Sequence, residues 1–345
     1  MRILLTLLFF IPIISFSQYW QQIGQDIDGE AAGDESGGSV SMNANGDRIA
    51  IGARRNTGNG SNAGHVRIYE WDGNSWTQLG QDIDGESSGD ESGYSVSINA
   101  VGDLLAIGAP NNDGIANNAG HVRIYEWNGT NWMQQGQDID GEAAEDNSGS
   151  SVSMNAAGDR VVIGAPYNDG NGNYSGHVRT YDWNGTSWTQ QGQDIDGETA
   201  EDRSGWSVSM NAAGDLVAIG ATTNDGNGNG AGHVRIYKEC FISTSNMSIT
   251  ACDSYTWIDG NTYTSSTNTP TYTLINAEGC DSVVTLILSL NTVNSSITNT
   301  TPTLMADATG ATYQWLDCNN NYAPIPGETN QIFMATANGS YAVEV

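Results

Sequence analysis

The sequence predicts an all-β protein: a β-propeller of four four-stranded blades with split-blade closure, followed by small β-sandwich-like modules. Three observations support this fold class. A Gly-His-Val-Arg segment recurs every 56 residues, at His65, His121, His177 and His233. Each copy contains short runs of alternating apolar and polar residues between turn signals, and helical periodicity is absent. All four cysteines lie after residue 239, where the composition shifts to Ser, Thr and Asn.

One copy of the repeat reads as four strands. In the third copy, the strands are expected at 151–155, 160–165, 177–183 and 188–191. The Asn184-Gly185 pair between the last two strands is a strong hairpin signal. A unit of this length with four strands is typical of one propeller blade.

The two ends of the repeat array are complementary. Trp20 lies one repeat length before Trp76, so residues 20–26 correspond to a fourth strand. In the last copy, Glu239 replaces the expected tryptophan, so the array stops after a third strand. We therefore predict that residues 20–26 complete the blade containing His233, which would leave no unpaired edge. A ring of eight blades made by two chains is the alternative.

A resemblance to a known family rests on two motifs. The run Ser-Gly-x-Ser-Val-Ser, with Gly-Asp-x-x-Ala-Ile-Gly-Ala-Pro after it, resembles the FG-GAP repeat over residues 20–238. That family builds the integrin-α-type propeller, so the resemblance implies a propeller and a role in cell adhesion. The family's calcium loops are replaced here by tight turns such as Asn45-Gly46-Asp47, so its calcium positions are not transferred.

The N-terminus predicts export. Arg2 precedes an apolar run over residues 3–14 and then small residues, which is typical of a signal peptide comprising residues 1–17. The protein is therefore expected to be secreted or held at the outer cell surface. No second long apolar run follows, so we expect no membrane span. The propeller is assigned to residues 18–238.

The C-terminal part is divided into two modules. Residues 239–291 are assigned to a disulfide-type β-module, because the stretch from Ala251-Cys-Asp-Ser-Tyr-Thr-Trp to Leu290 is similar to short β-modules of large adhesin-like proteins. Thr312-Tyr-Gln-Trp and Gly339-Ser-Tyr-Ala-Val-Glu-Val look like two strands of an immunoglobulin-like domain, so residues 292–345 are assigned to part of such a domain, which we expect to be truncated. Such proteins are commonly exported by type nine secretion. Cys252 and Cys280 both precede Asp-Ser within one module, so a bond between them is predicted. The partner of Cys240 is left open, and Cys318 is expected to be unpaired.

The charge balance restricts the partners. Eleven Lys and Arg face 40 Asp and Glu, a formal net charge of -29. Such a surface repels nucleic acid and attracts cations. The expected partner is therefore an extracellular protein or a glycan.

The loop after each fourth strand is the predicted metal site. It reads Asp-x-Asp-Gly-Glu with a further Asp downstream, and carboxylates at alternate positions around a glycine suit Ca²⁺. The alternative is a solvated acidic turn without metal. The candidate ligands are Asp26, Asp28, Glu30 and Asp34, then Asp82, Asp84, Glu86 and Asp90, then Asp138, Asp140, Glu142 and Asp146, and finally Asp194, Asp196, Glu198 and Asp202.

The repeated histidines and tryptophans are assigned to packing. The histidines lie on third strands of different blades, which argues against a shared zinc site, so we expect each to pack between blades. The arginine two residues after each histidine is expected to pair with an acidic neighbour. Pairs of tryptophans flank the hairpins, where core packing is expected and a sugar-stacking platform is the alternative.

The sequence therefore predicts an exported, non-catalytic binding or adhesion protein. Almost every polar residue of the array belongs to a repeated position, which disfavours an enzyme because a catalytic set needs unrepeated residues. A carbohydrate-binding propeller for polysaccharide capture is the first alternative. A glycan-active enzyme is the second.

Overall fold

The chain consists of β-strands joined by turns and loops. A computed structural model describes residues 20–277, 279–292 and 294–345, and the predicted signal peptide lies outside them. A short 3₁₀ helix at Cys318–Asn320 is the one helical element among the described residues, where no helix is long and apolar enough to cross a membrane. The chain divides into two units, Met1–Glu239 and Cys240–Val345.

Residues 20–239 of the first unit form four antiparallel sheets, one for each repeat. Sheet 1 consists of β1 (Ser39–Met42), β2 (Arg48–Ala53), β3 (His65–Trp71), β4 (Trp76–Gln78) and β5 (Ile83–Asp84). Sheet 2 consists of β6 (Ser95–Ile98), β7 (Leu104–Ala109), β8 (His121–Trp127), β9 (Trp132–Gln134) and β10 (Ile139–Asp140). Sheet 3 consists of β11 (Ser151–Met154), β12 (Arg160–Ala165), β13 (His177–Trp183) and β14 (Trp188–Asp196). Sheet 4 consists of β15 (Ser204–Met210), β16 (Leu216–Ala221) and β17 (His233–Lys238).

Consecutive sheets pack face to face through apolar side chains. Val66 and Ile68 on β3 are fully buried against Val96 and Ile98 on β6. The same set of positions forms the core between sheets 2 and 3, and part of it recurs between sheets 3 and 4. The middle strands of sheets 2 and 3 are apolar on both faces because a neighbouring sheet covers each face.

A polar contact and a close backbone approach complete each of these interfaces. The Ser39 hydroxyl donates to the carbonyl oxygen of Gly93 at 2.7 Å. A Cβ placed on Gly52 would lie 2.1 Å from the same Gly93 oxygen, so no other residue fits there. The interface between sheets therefore requires a glycine at this position of β2.

The predicted closure by residues 20–26 is wrong in this structure. Gln25 donates from Nε2 to the carbonyl oxygen of Trp76 at 3.1 Å, as Gln81 does to Trp132 at 2.8 Å. Residues 20–28 thus lie against sheet 1 as residues 76–84 lie against sheet 2, while sheet 4 contains three strands. The contacts of this segment to the repeat that follows it span 51 and 39 residues, a shorter stretch of chain than the one that separates the segment from His233. They hold it at sheet 1.

The second unit also consists of short strands. They are β18 (Ser243–Cys252), β19 (Tyr255–Thr256), β20 (Thr262–Tyr263), β21 (Thr271–Ile275), β22 (Asp281–Asn291), β23 (Ile297–Thr300), β24 (Thr303–Ala306), β25 (Gln314–Asp317), β26 (Ala323–Pro324), β27 (Ile332–Met334) and β28 (Tyr341–Glu344). One hydrophobic cluster forms around Trp257 and Leu286, and a second forms around Trp315 and Phe333. The strands β18 and β22 pair in parallel.

The disulfide of the second unit joins Cys240 to Cys280, so the predicted Cys252–Cys280 bond is wrong. Parallel pairing of β18 and β22 begins with Ser243 opposite Ser282, which brings the preceding cysteines together at a Cα separation of 5.4 Å. Cys252 lies opposite Asn291 at the far end of β22, about 35 Å from Cys280 at ~3.3 Å per residue. Cys252 and Cys318 are both free.

Removing this disulfide is expected to destabilise the second unit. Cys280→Ser opens a loop of 40 residues, which lowers the free energy of unfolding by about 4 kcal/mol because the unfolded chain regains conformational freedom. Denaturant unfolding without reductant measures the change. Cys252→Ser is the matched control and should leave the unfolding midpoint unaltered. A peptide map that links Cys252 to Cys280 would contradict this arrangement.

Candidate functional site

Three clusters of one glutamate, one histidine and one aspartate recur along the first unit. In each cluster, one ligand atom from each residue lies within 4.8 Å of the other two. We call them the Glu–His–Asp clusters. They are Glu30–His65–Asp82, Glu86–His121–Asp138 and Glu142–His177–Asp194.

Each cluster is assembled at the junction of two repeats. In sheet 1, β5 pairs with β3 so that Asp84 lies opposite His65, which places Asp82 beside the histidine ring. The glutamate comes from the segment before that repeat. The backbone oxygen of Asp28 accepts from Arg67 at 2.7 Å, and this bond holds Glu30 near the same histidine. The site therefore depends on the packing of one repeat against the next.

The geometry of the clusters is consistent from repeat to repeat. The Nδ1 atom of His177 lies 3.5 Å from Asp194 and 3.9 Å from Glu142. His121 Nδ1 lies 3.8 Å from Asp138. The histidine rings are buried, whereas the carboxylates are partly exposed, so each cluster opens to solvent on its acidic side.

The arginine two residues after each histidine pairs with the glutamate of the cluster, as the sequence predicts. The separations from Arg Nη1 to Glu are 3.8 Å for Arg67, 3.4 Å for Arg123, 3.2 Å for Arg179 and 3.6 Å for Arg235. Each of these guanidinium groups also lies over the ring of the tyrosine two residues later. The arginine thus neutralises one of the two carboxylates and leaves the other facing the histidine.

The predicted acidic ligands of one loop do not gather into one site. Glu30 belongs to the predicted set that begins at Asp26, and Asp82 begins the next set. These two carboxylates meet across the repeat junction instead. The second aspartate of each loop accepts from the next repeat's arginine through its backbone oxygen. These residues are Asp28, Asp84, Asp140 and Asp196.

The last aspartate of each predicted set is buried and serves the loop structure. Asp90 accepts from the backbone nitrogen of Ser87 at 2.9 Å and from Nδ2 of Asn112 at 3.1 Å. Asn112 follows the second strand, so this bond ties the two long loops of neighbouring repeats together. Asp34, Asp146 and Asp202 make the equivalent contacts.

Asp26 and Glu198 stand outside the three clusters. Asp26 accepts from Gln22 at 2.8 Å, as the other first aspartates of the loops do from their own glutamines. Glu198 lies 3.7 Å from His233 and near Arg235, but that pair lacks the third group among the described residues. At His233, therefore, only two of the three groups of a Glu–His–Asp cluster come together among the described residues.

Burial controls the protonation of these groups. Burial and the neighbouring charge of Arg123 lower the pKa of His121 to about 4, so its ring is neutral at pH 7. Burial and then Arg179 lower the pKa of His177, whose Nε2 is buried without a hydrogen-bond partner. Burial raises the pKa of Glu86 even beside Arg123, and Asp138 adds to that rise. A neutral imidazole between two carboxylates is a set of donors for a cation.

The sequence predicts packing for the histidines and argues only against a zinc site shared among them. His65, His121 and His177 are buried, whereas His233 is partly exposed. Each loop motif predicts ligands from one repeat alone, whereas the carboxylates around each histidine come from two consecutive repeats. The constant 17-residue spacing from His65 to Asp82, repeated in the next two copies, was the available signal.

The hairpin tryptophans pack into the core. Trp76, Trp132 and Trp188 are buried, and each contacts its hairpin partner at ring separations of 5.3 to 5.5 Å. A Cβ on Gly80 would lie 2.6 Å from Trp127, so the partner ring is covered by the preceding repeat. These rings do not form an exposed sugar-stacking platform.

A different group of aromatic side chains forms a small cavity at the surface. Tyr94, Ser150, Tyr167 and Trp206 line a cavity of about 90 Å³. Tyr167 lies 5.5 Å from Tyr174 and 6.3 Å from Trp206, both of which are partly exposed. None of these aromatic residues recurs at the equivalent position of every repeat. We call this group the aromatic cavity.

Comparisons with known proteins do not show a family. No family model and no curated protein sequence matches this chain. Among solved structures, it is similar to hydrazine synthase of Kuenenia stuttgartiensis, with 12% sequence identity and a TM-score of 0.38 over 86% of this chain and 82% of that chain. A similarity at this level carries no inference about function.

The buried neutral histidine predicts a pH-dependent stability. The unfolded chain takes up a proton near pH 6.5 and the folded chain near pH 4, so the free energy of unfolding should fall as the pH falls between those values. His121→Asn should flatten this dependence by up to about 1.4 kcal/mol per pH unit. Urea unfolding in EDTA across this range measures it. His233→Asn, at a more exposed position, is the control, and identical slopes for wild type and His121→Asn would refute the assignment.

Proposed function

We propose that this chain is an exported, non-catalytic binding protein whose repeat array carries divalent cations on its loop face. The observation that carries the proposal is the recurrence of the Glu–His–Asp cluster at three successive repeat junctions. The four sheets are proposed to be blades of a propeller-type array, since each repeats the same strand order and stacks on the next in the same way.

The charge of the site favours a cation. Each cluster places two carboxylates around one imidazole, while a single arginine offsets one negative charge. The chain as a whole has a net charge of -29, so the loops lie in a strongly negative field. A divalent ion removes the repulsion between the carboxylates, and a neutral imidazole ring provides a nitrogen ligand for it.

The donor set bears on which ion binds. Calcium prefers six to eight oxygen ligands, whereas two carboxylates and one imidazole suit a first-row ion such as Mn²⁺ or Zn²⁺. We therefore propose such an ion for the clusters, in place of the Ca²⁺ expected from the acidic loops. Glu86 and Asp138 would provide oxygen ligands and His121 a nitrogen ligand.

We infer a structural role for a cation at these sites: it would hold a binding surface in place and would not take part in catalysis. Each ion would link two consecutive repeats, because the glutamate comes from one repeat and the other two ligands from the next. The loops that carry the ligands are also tied together by buried contacts such as Asp90–Asn112. A rigid acidic face loaded with cations is suited to bridging carboxylates or sulfates of an extracellular protein or glycan. Adhesion is the function we infer from this surface.

Cation binding should stabilise the folded chain. Zn²⁺ or Mn²⁺ added to the EDTA-treated protein is expected to raise the melting temperature more than sodium chloride of equal ionic strength. Each site contributes about 2.7 kcal/mol at a hundredfold excess over its dissociation constant. Asp138→Asn should reduce the bound metal by one ion per chain in elemental analysis.

The control for this experiment lies in the same repeat. Glu126→Gln removes an exposed carboxylate on β8 that belongs to no cluster, and should leave the metal content unaltered. A greater stabilisation by Ca²⁺ than by Zn²⁺ or Mn²⁺ would favour the oxygen-rich loops over the clusters. Equal melting temperatures in all salts would refute cation binding.

Glycan binding is a second candidate function, and the aromatic cavity favours it. Tyr94, Ser150 and Trp206 occupy the same position of three successive repeats, and the array brings them to one cavity. Tyr174 and Trp206 present partly exposed rings beside it, and such faces suit the apolar face of a pyranose. The side chain at this position differs from repeat to repeat, as expected of a surface adapted to a ligand.

Replacing the exposed ring should reveal such a ligand. We expect Trp206→Ala to weaken binding of any glycan found on an array by about tenfold or more, because it removes a stacking face worth about 1.5 kcal/mol. Trp206→Phe should retain most of the affinity. Tyr322→Ala removes an exposed ring in the second unit and serves as the control. Undiminished binding by Trp206→Ala would exclude the aromatic cavity as the glycan site.

A further inference from the structure

The two ends of the repeat array expose faces that are buried at every internal junction. Val40 and Met42 on β1 are 60% and 53% exposed. Their equivalents Val96 and Ile98 on β6 are below 10% exposed, because sheet 1 covers them. Among the described residues, no sheet precedes sheet 1 on this face.

Sheet 4 exposes the opposite half of the same interface. Val234 and Ile236 on β17 are 66% and 74% exposed. Their equivalents Val66 and Ile68 on β3 are fully buried by sheet 2. At the internal junctions, side chains equivalent to Val234 and Ile236 pack against side chains equivalent to Val40 and Met42. The exposed face of sheet 4 is therefore complementary to the exposed face of sheet 1.

The polar and backbone contacts of the interface are also left open at both ends. The hydroxyls of Ser39, Ser95 and Ser151 donate to a glycine oxygen of the next repeat, but Ser207 has no such bond among the described residues. Gly220, unlike Gly52, meets only its own sheet, and Gly37 has open space around it. Gly37 is the equivalent of the glycine that receives Ser39. These groups match.

The open edge of sheet 4 has a matching strand elsewhere in the array. Within the described part of the chain, no fourth strand pairs with β17, whereas β3, β8 and β13 each have one. Residues 20–28 correspond in sequence to that fourth strand and are held against sheet 1 by Gln25 and Arg67. Trp20 is fully exposed, whereas its equivalents Trp76, Trp132 and Trp188 are buried. This segment is positioned to pair with a β17 that precedes sheet 1.

We propose that sheet 1 and residues 20–28 of a second copy of this chain dock onto sheet 4, so that copies associate head to tail. Residues 20–28 of the second copy then form the missing fourth strand beside β17. Val40 and Met42 of that copy cover Val234 and Ile236. The contact continues the junction already present three times within the chain.

A second copy fits this face better than the same chain does. The three internal junctions repeat the Ser–Gly bond at 2.7, 2.7 and 2.8 Å. A second hydrogen bond is equally constant. The backbone nitrogens of Ile98, Met154 and Met210 donate to serine hydroxyls of the preceding sheet at 3.0, 2.9 and 3.0 Å. A second copy adds a further junction of the same geometry without altering these three. Closure within one chain would require at least one of these junctions to change, because in the present geometry both end faces are exposed.

The second copy also completes a cluster. Glu198 and His233 form two of the three groups at the fourth junction. Asp26 is the equivalent of Asp82 and stands on the docking segment, so docking brings it to His233 of the other copy. That the completed cluster binds an ion rests on the cation proposal, whereas the apolar contact does not.

The molar mass in solution tests the contact. The full exported chain is measured by sedimentation and light scattering in a Cys252→Ser background, since that exposed thiol would otherwise cross-link copies. Val40→Asp and Ile236→Asp each place a carboxylate in the docked face and should each give a monomer. Val101→Asp and Ile115→Asp, at similarly exposed positions away from this face, are the controls and should keep the mass of wild type.

Mixing the two disabled variants separates a head-to-tail contact from a symmetric one. Val40→Asp retains an intact sheet 4 face, and Ile236→Asp retains an intact sheet 1 face, so the mixture should form a one-to-one dimer. Hydrogen exchange should show residues 233–238 protected in wild type and in the Val40→Asp chain of that dimer, and exposed in the Ile236→Asp chain and in either variant alone.

Several results would overturn the proposal. A monomeric wild type would do so, whether or not residues 233–238 are protected, because protection in a monomer means closure within the chain. An assembly that survives either aspartate variant, or a mixture that stays monomeric, would do so as well. Asp26→Asn should leave the assembly intact and lower the metal content by one ion per chain. An intact assembly without that loss would refute the cation proposal at this junction and leave the contact standing.

Discussion

The close approach of consecutive sheets is the constraint on which the first unit depends. Gly52 lies against the backbone of Gly93, where a Cβ would be 2.1 Å from the carbonyl oxygen. The same approach occurs at Gly108 and Gly164. With no side chain between the backbones, the serine bond and the apolar cluster form at one fixed separation. Each repeat therefore stacks on the next in the same orientation, and the exposed ends of the array inherit the same shape.

The same junction creates the chemistry of the array. No single repeat contains a Glu–His–Asp cluster, because Glu86 precedes the sheet that supplies His121 and Asp138. Arg123 holds the loop of the preceding repeat through the backbone oxygen of Asp84. Burial keeps the histidine neutral, and partial exposure keeps the carboxylates accessible. Stability and a candidate binding site thus arise from one set of contacts, so a change at the junction affects both.

The aromatic cavity shows how a repeat array can acquire an individual site. The structural positions, such as His121 and its equivalents, are the same in every copy. Tyr167 and Trp206, by contrast, occur once each at their positions and meet on the surface. Packing restricts which residues can occupy the buried positions, whereas the surface where Tyr167 and Trp206 lie tolerates substitution. A ligand surface is therefore expected where the copies differ.

Much of the architecture could be determined from the sequence alone. The repeat length and the all-β class follow from periodicity, and Asn184-Gly185 marks its hairpin because few residues adopt that turn. The pairing of Arg123 with an acidic group was also predictable, since a buried guanidinium requires one. These features are local, or are repeated often enough that the pattern reveals them.

Only the tertiary structure decided which distant groups meet. Complementary ends predicted that residues 20–26 join the sheet of His233, but their contacts to Trp76 hold them at sheet 1. The shared Asp-Ser context pointed to Cys252 as the partner of Cys280, whereas the parallel register of β18 and β22 selects Cys240. The clusters combine carboxylates of two repeats, which no motif within one repeat encodes. Register and the stacking of sheets are set by packing across the chain, and that information is absent from local sequence.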